Sequence, residues 1–360
     1  MLKPMLHSPQ IAAAVKDSGN QCKRSAHKAY PRMTAATAHR LLNGAIVAIS
    51  LLVAAGSAPA QDWPAKTVRI VVPFGPGSTP DIVARLVADG LQQKYPASAF
   101  VVENKPGASG NIGTDVVAKA APDGSTLGVS IGGPLAINTL LFAKLPYDPH
   151  KDIAPVTQLV TQPSVLAVNP SLGVNSVVEL VALLRKNPRK YNFASIGIGS
   201  LSHLAMEAIA IKGGAELVHV PYTSSPQAIT AVIRNDAQIT CLPAISVTPQ
   251  AAAGAVKILA VSTARRSPYL PDVPTLKEAG IDVEADAWNG LIAPGGTPRP
   301  IIDKISRDVA EIIKQPAVRE KLATQLMEPV GSSSEELRAR MDGEIVRWAP
   351  VIKSANVKLN

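Results

Sequence analysis

Five loops of this chain have the composition to capture an anion without a charged side chain. They are Pro73-Phe74-Gly75-Pro76-Gly77-Ser78-Thr79-Pro80-Asp81, Pro106-Gly107-Ala108-Ser109-Gly110, Gly132-Gly133-Pro134, Ile196-Gly197-Ile198-Gly199-Ser200 and Pro221-Tyr222-Thr223-Ser224-Ser225. All are rich in Gly, Ser, Thr or Pro, and none contains Lys or Arg. A segment leading from a strand into a helix presents unpaired backbone N–H groups and the positive end of the helix dipole. N–H and hydroxyl donors alone can hold a carboxylate there. Any one such loop is as readily a plain turn; recurrence in both halves of the chain is what points to a ligand.

Constellations for catalysis are sparse. The chain has no G-x-x-x-x-G-K-[ST] and no H-E-x-x-H. Gly197-Ile198-Gly199 lacks the third glycine of a dinucleotide fingerprint. Ser200 and His203 could pair as a hydrolytic nucleophile and base, but the orienting acid and oxyanion hole of a hydrolase are not identifiable. The plainer reading of His203 is a polar residue stabilising its own loop, with ligand contact second. Asp81 reads as a helix-start residue before it reads as a base. His150, His203 and His219 show no metal-ligand spacing and Cys241 stands apart, so neither metal nor cofactor is expected.

Strands and helices alternate around these loops. Val68–Val72 reads as a buried β-branched strand, followed by a helix in which Thr79 suits the cap, Pro80 the first position and Asp81 the first turn. The pattern repeats. Strands are predicted at 99–102 and 126–131 with helices at 112–121 and 135–141, then strands at 165–168, 191–195, 217–220 and 258–261. Helices are predicted at 177–184, after Ser200, at 226–233, and at 301–313, 317–325 and 334–353. Such alternation predicts an α/β fold with parallel sheets covered on both faces, and ligands at the carboxyl ends of the strands.

Residues 39–61 give an address. Arg40 precedes an apolar run from Gly44 to Ala55 and the small-residue sequence Ala58-Pro59-Ala60. That order is the pattern of a secretory signal peptide, and the run is too short to span a bilayer comfortably. We expect a signal peptide at 33–60 cleaved after Ala60, an exported mature chain from Gln61, and residues 1–32 as an extension ahead of the true start at Met33. Of the formal net charge of +9, six units belong to residues 1–60, leaving +3 on residues 61–360. So small a charge gives no reason to expect nucleic acid or an anionic membrane as partner. Cys241 is the single cysteine of residues 61–360, which excludes an internal disulfide there.

Several ordered motifs resemble one family. They are Asp62-Trp63-Pro64, the Pro73–Asp81 loop, Asn104 to Gly113, Leu145-Pro146-Tyr147-Asp148-Pro149, Gly197-x-Gly199-Ser200-x-x-His203-Leu204, Val220-Pro221-Tyr222, Asp272 to Gly280 and Ala293 to Pro298. In this order they are similar to the substrate-binding proteins of tripartite tricarboxylate transporters, the Bug family. The resemblance covers residues 62–360. It implies two Rossmann-like α/β domains with a ligand cleft between them, the type II periplasmic-binding-protein architecture. Domain I would comprise 62–163 plus 287–360, and domain II 164–286. It further implies a non-enzymatic periplasmic receptor, acting as a monomer, that captures a small mono- or dicarboxylate for the permease subunits of the transporter. A ligand-dependent sensor partner without a permease is the alternative.

By the same resemblance the ligand is surrounded by Phe74, Gly77, Ser78, Thr79 and Asp81 of the first loop and by Ala108, Ser109 and Gly110 of the second. Ile131, Gly132 and Gly133 follow from the third, and Gly199, Ser200, His203 and Tyr222 from the second domain. Two departures bear on the ligand. The family's first loop commonly has two adjacent glycines before x-x-Asp, where this chain has Gly77-Ser78-Thr79-Pro80; Pro80 removes an N–H donor and Ser78 adds a hydroxyl. Many members also carry an Asp after the strand that here reads Ile239-Thr240-Cys241-Leu242-Pro243. Its absence predicts a carboxylate recognised without an amino-group contact.

Overall fold

The computed structural model describes residues 63–359. The expected extension, signal peptide and cleavage site lie outside the described residues. The described residues contain eleven strands: β1 (Thr67–Val72), β2 (Ala99–Asn104), β3 (Thr126–Ile131), β4 (Ile153–Gln162), β5 (Ser164–Val168), β6 (Asn192–Ser195), β7 (Val218–Pro221), β8 (Ile239–Pro243), β9 (Lys257–Val261), β10 (Ala287–Pro294) and β11 (Glu328–Pro329). They form a six-stranded sheet ordered β11-β4-β10-β3-β1-β2 and a five-stranded sheet ordered β7-β6-β8-β5-β9. The helices are α1 (Thr79–Lys94), α2 (Asn111–Ala118), α3 (Asn138–Leu141), α4 (Val177–Lys186), α5 (Leu201–Gly213), α6 (Ser225–Ile233), α7 (Ala244–Ala252), α8 (Arg299–Ile313), α9 (Pro316–Ala323) and α10 (Ser334–Ser354).

The α/β class agrees with the pattern of the sequence, but the sheets are mixed where that pattern predicts parallel ones. Among the strand pairs of the described residues, β2-β1-β3 and β7-β6-β8 are parallel. β10 runs antiparallel to both β3 and β4, and β5 runs antiparallel to β8 and β9. The reason is how the chain crosses between the sheets. β4 and β5 are separated by Pro163 alone, and β10 returns to the first sheet without a crossover helix, which a parallel neighbour would require.

Amphipathic helices cover both sheets. Ile301, Ile302, Ile305, Val309, Ile312 and Ile313 of α8 are buried against α1 and the first sheet. Each such side chain contributes about 1.5–3 kcal/mol relative to exposure. α1 and α8 approach so closely that a Cβ on Gly90 would collide with Ile312 Cγ2. α10 touches both sheets: Leu337 and Met341 pack with Trp288 and Ile292 of β10, whereas Trp348 and Ile352 pack with Leu166, Leu180 and Leu204. α10 thus joins the two halves through apolar contacts on each side as well as through the crossing strands.

Candidate ligand-binding site

The loop after β1 is built around a buried carboxylate. Ser78, in extended conformation, precedes α1, so Thr79 is the first helical residue and not the cap that the sequence suggests. Asp81 is 2% exposed, and its oxygens accept from Gly77 N at 2.9 Å, from Arg85 Nε and Nη2 at 3.1 and 2.9 Å, and from Asn104 Nδ2 at 2.9 Å. Burial opposes its ionisation, but the hydrogen bonds from Arg85, Gly77 and Asn104 outweigh it and hold the carboxyl below its usual range. Asn104 Nδ2 also donates to Phe74 O at 2.9 Å. Asp81 therefore ties the loop down from beneath. Ser78 Oγ is buried and finds no partner among the described residues.

The loop after β2 is the most strained segment near the site. Gly107, Ala108, Ser109 and Gly110 all have positive φ, at 134°, 46°, 54° and 89°. Left-handed backbone costs a non-glycine residue about 1–2 kcal/mol, so Ala108 and Ser109 need support from their surroundings. That support is a polar network. Gly110 N donates to Gly107 O at 3.0 Å. Asn138 Nδ2 lies 3.3 Å from Ser109 O and 2.6 Å from Asn111 Oδ1. Tyr147 Oη, whose ionisation burial suppresses, donates to Pro134 O at 2.7 Å and lies 3.2 Å from Asn111 Oδ1. The N–H groups of Ala108 and Ser109 belong to exposed residues and have no acceptor among the described residues.

Three loops converge at Gly110. A Cβ there would lie 2.6 Å from Pro134 Cγ and 2.8 Å from Phe74 Cζ. Pro134 follows Ile131-Gly132-Gly133 in a π-helical turn leading to α3. Gly132 lies against Trp288, whose Nε1 would be 3.0 Å from an added Cβ.

The second sheet supplies the loop after β6, and this loop mostly satisfies itself. Ile196 N donates to Ser202 Oγ, Gly197 N to Ser195 Oγ, Gly199 N to His203 Nδ1 and Ser200 N to Gly197 O, at 3.0–3.2 Å. Ile198 is half exposed at its tip. Tyr222 N donates to Ser195 O at 2.9 Å, which lays the Tyr222 loop beside it. A Cβ on Gly199 would lie 2.7 Å from Leu141 Cδ1, so this loop meets the end of α3.

Residues 83–357 match the family described as the tripartite tricarboxylate transporter family receptor. The chain belongs to this family. It is 35% identical over 321 residues to Protein BugT of Bordetella pertussis, covering 88% of this chain and 98% of that one. Among solved structures it is similar to R. palustris Rpa4515 with adipate, at 35% identity and a TM-score of 0.72, covering 82% of this chain and 99% of that one. It is also similar to MatC from Rhodopseudomonas palustris with bound malate, at 32% identity and a TM-score of 0.67, covering 81% of this chain and 100% of that one.

As a member of a receptor family the protein is not an enzyme, and its serine is not arranged as a nucleophile. Ser200 Oγ donates to Gly197 O at 2.7 Å, lies 3.0 Å from Ser202 Oγ and accepts from the backbone N of His203. The imidazole of His203 bonds elsewhere. Among the described residues no three His, Cys, Asp or Glu side chains gather as metal ligands.

Two surface recesses of the receptor lie away from these loops. One, of about 560 Å³, is lined by Lys151, Thr297, Arg299, Ser334, Arg338 and Asp342; the other, of about 400 Å³, by Lys190, Tyr191, Asn235 and Gln238. None of the expected ligand contacts lines either. In the larger one Arg299 pairs with Asp303 and Glu335, and Arg338 donates to the carbonyls of Pro149 and Ile153. The residues behind the loops are Asn104, Asn111, Asn138 and Tyr147 on one side and Ser195, Ser202, Glu207 and His219 on the other; Asn104, Asn111 and Tyr147 fall within the quoted motifs, but the motifs do not reveal their supporting role. A polar side chain recurring within an otherwise apolar strand or helix face is the signal that marks them.

Proposed function

We propose that this receptor captures a small mono- or dicarboxylate between two lobes, residues 62–163 with 287–360 and residues 164–286. The ligand seats against the loops that carry Phe74–Asp81, Ala108–Gly110, Ile131–Gly133, Gly199–His203 and Tyr222. The leader pattern ending at Ala60 directs the chain to the periplasm, where it delivers the ligand to the membrane subunits of a tripartite tricarboxylate transporter. The observation that carries this reading is the left-handed run Gly107–Gly110, which leaves the amides of Ala108 and Ser109 without an acceptor among loops that contain no cationic side chain. Hydrogen bonds from amide N–H groups to an ionised carboxylate are charge-assisted and stronger than neutral ones. The solved relatives with adipate and malate support the ligand class.

The strand end Leu242-Pro243 offers no carboxylate to an ammonium group, and the Cys241 thiol beside it is buried, its pKa pushed up to about 12 by that burial. Aspartate and glutamate are therefore expected to bind weakly. A thermal-shift screen of organic acids on the chain from Gln61 tests the reading. A carboxylate at 100 times its dissociation constant adds about 2.7 kcal/mol. For a chain of this size that raises Tm by about 5 °C. A response confined to amino acids or to uncharged solutes would contradict the assignment.

A further inference from the structure

Two histidines beneath the β6 loop form an arrangement that ligand contact alone does not explain. The rings of His203 and His219 are stacked with centroids 3.8 Å apart and planes 9° apart, and the Phe193 ring lies beside both, 4.8 Å from His219 and 6.0 Å from His203. His203 is 4% exposed. Its Nδ1 accepts from Gly199 N at 3.0 Å, and its Nε2 lies 3.5 Å from Glu207 Oε1. An amide N–H can only donate, so Nδ1 carries no proton and the neutral ring bears its hydrogen on Nε2, facing Glu207. His219 Nε2 lies 2.6 Å from Ser195 Oγ, the atom that also receives Gly197 N at 3.2 Å. Each imidazole thus holds one end of the same loop.

We propose that His203 is a positioning residue for ligand binding: its unprotonated Nδ1 fixes the Gly199 peptide, and protonation of the stacked pair releases this loop and with it the ligand. This rests on the β6 loop being part of the ligand site. A proton on Nδ1 would set a donor against the Gly199 donor, so the anchor cannot survive it. The ionisable groups facing the pair are Glu207 from α5 and the two imidazoles themselves, while β6 contributes the uncharged Phe193 and Ser195. Two positive rings at 3.8 Å repel, so the stack disfavours a second proton. Consistently, burial first and the His203 charge next depress His219 to about 4 against the opposing pull of Glu207. The Glu207 carboxylate lies against the ring that holds Gly199.

The test is calorimetry with adipate and malate as probes at pH 8, 7, 6 and 5, on the wild type and on His203→Asn, His203→Leu and His150→Gln. Acid ionisation of the probe is common to all four proteins and cancels in their ratios. Wild-type affinity is expected to fall about tenfold more than that of His203→Leu across this range. His203→Leu should bind about tenfold more weakly than wild type at pH 8 and lose the extra slope. His203→Asn, which keeps an acceptor near the Nδ1 position, should recover part of the affinity without the slope. His150→Gln, changed at an exposed surface site, should keep it. An equal slope in wild type and both His203 variants would overturn the proposal. In ligand-free protein the Gly199 amide resonance should titrate with the His203 ring. That readout stands even if neither acid binds, an outcome that would count against the receptor's ligand class instead; a Gly199 amide indifferent to pH would overturn the positioning role.

Discussion

Replacing Arg340 with methionine is expected to remove about 3–5 kcal/mol of folding stability. Its guanidinium lies where the returning strand re-enters the first sheet. Nη1 lies 3.3 Å from Glu284, and Nη2 lies 2.7 Å from Asp286 and 2.9 Å from Glu344. Asp286 Oδ2 in turn accepts from Thr161 Oγ1 at 2.5 Å near the end of β4. Trp348 Nε1 and Arg347 Nη1 hold Glu344 from the next turn of α10, at 2.6 and 3.2 Å. Glu344 is 2% exposed, and burial raises its carboxyl even against the two arginines. Without Arg340, three carboxylates face one another with Arg347 as their remaining cation. A urea denaturation curve on Arg340→Met measures the loss. Adding Glu344→Gln to that variant removes one buried charge and should restore part of it. A single variant within about 1 kcal/mol of wild type would show that the cluster is not what fastens α10 to the crossing strands.

A methyl group at Gly110 is expected to abolish tight ligand binding while leaving a folded protein. Two costs coincide there. The backbone has φ of +89°, worth about 1–2 kcal/mol to an alanine. The Cβ would also drive into Pro134 and Phe74 at 2.6 and 2.8 Å, and overpacking of this kind costs about 1–3 kcal/mol. The chain relieves that strain most simply by separating the three loops that meet at Gly110. If about 3 kcal/mol is relieved in that way, a ligand that needs the loops together binds roughly 100-fold more weakly. Gly254 is the control. It has φ of +72° with nothing within 4 Å of an added Cβ, so Gly254→Ala should carry only the backbone cost and bind normally. Calorimetry on the two variants separates a specific loop effect from general glycine strain. Equal affinities would contradict the convergence of the loops at the ligand.

How far each feature is legible in the sequence follows the range over which it acts. Glycine and serine at strand ends are local signals, so the loops after β1, β2, β3 and β6 can be read from short stretches of residues. β4 and β10 cannot. Pro155 interrupts the alternation of one and Gly290 that of the other, and burial on both faces leaves neither a period of two. The spacing of His203 and Glu207 already places them on one helix face. His219 and Ser195 are 24 positions apart and meet only through the pairing of β6 with β7. Arg340 and Asp286 are 54 positions apart, so a helix rich in Arg and Glu looks like an ordinary solvated surface until the fold buries one end of it. The polar residues supporting these loops are thus products of tertiary contact, whereas the loops themselves are written in consecutive residues.

If amide and hydroxyl groups of these loops hold the carboxylate, a crystal structure with bound ligand shows it most directly. The sample is the chain from Gln61 with the strongest acid from the thermal screen. A carboxylate oxygen is expected within hydrogen-bond distance, about 2.7–3.2 Å, of the N–H of Ala108 or Ser109. The remainder of the ligand should lie toward Ser78 and the Gly199 loop. A carboxylate found instead on a lysine or arginine, for example in the recess lined by Lys151, Arg299 and Arg338, would contradict that mode of binding.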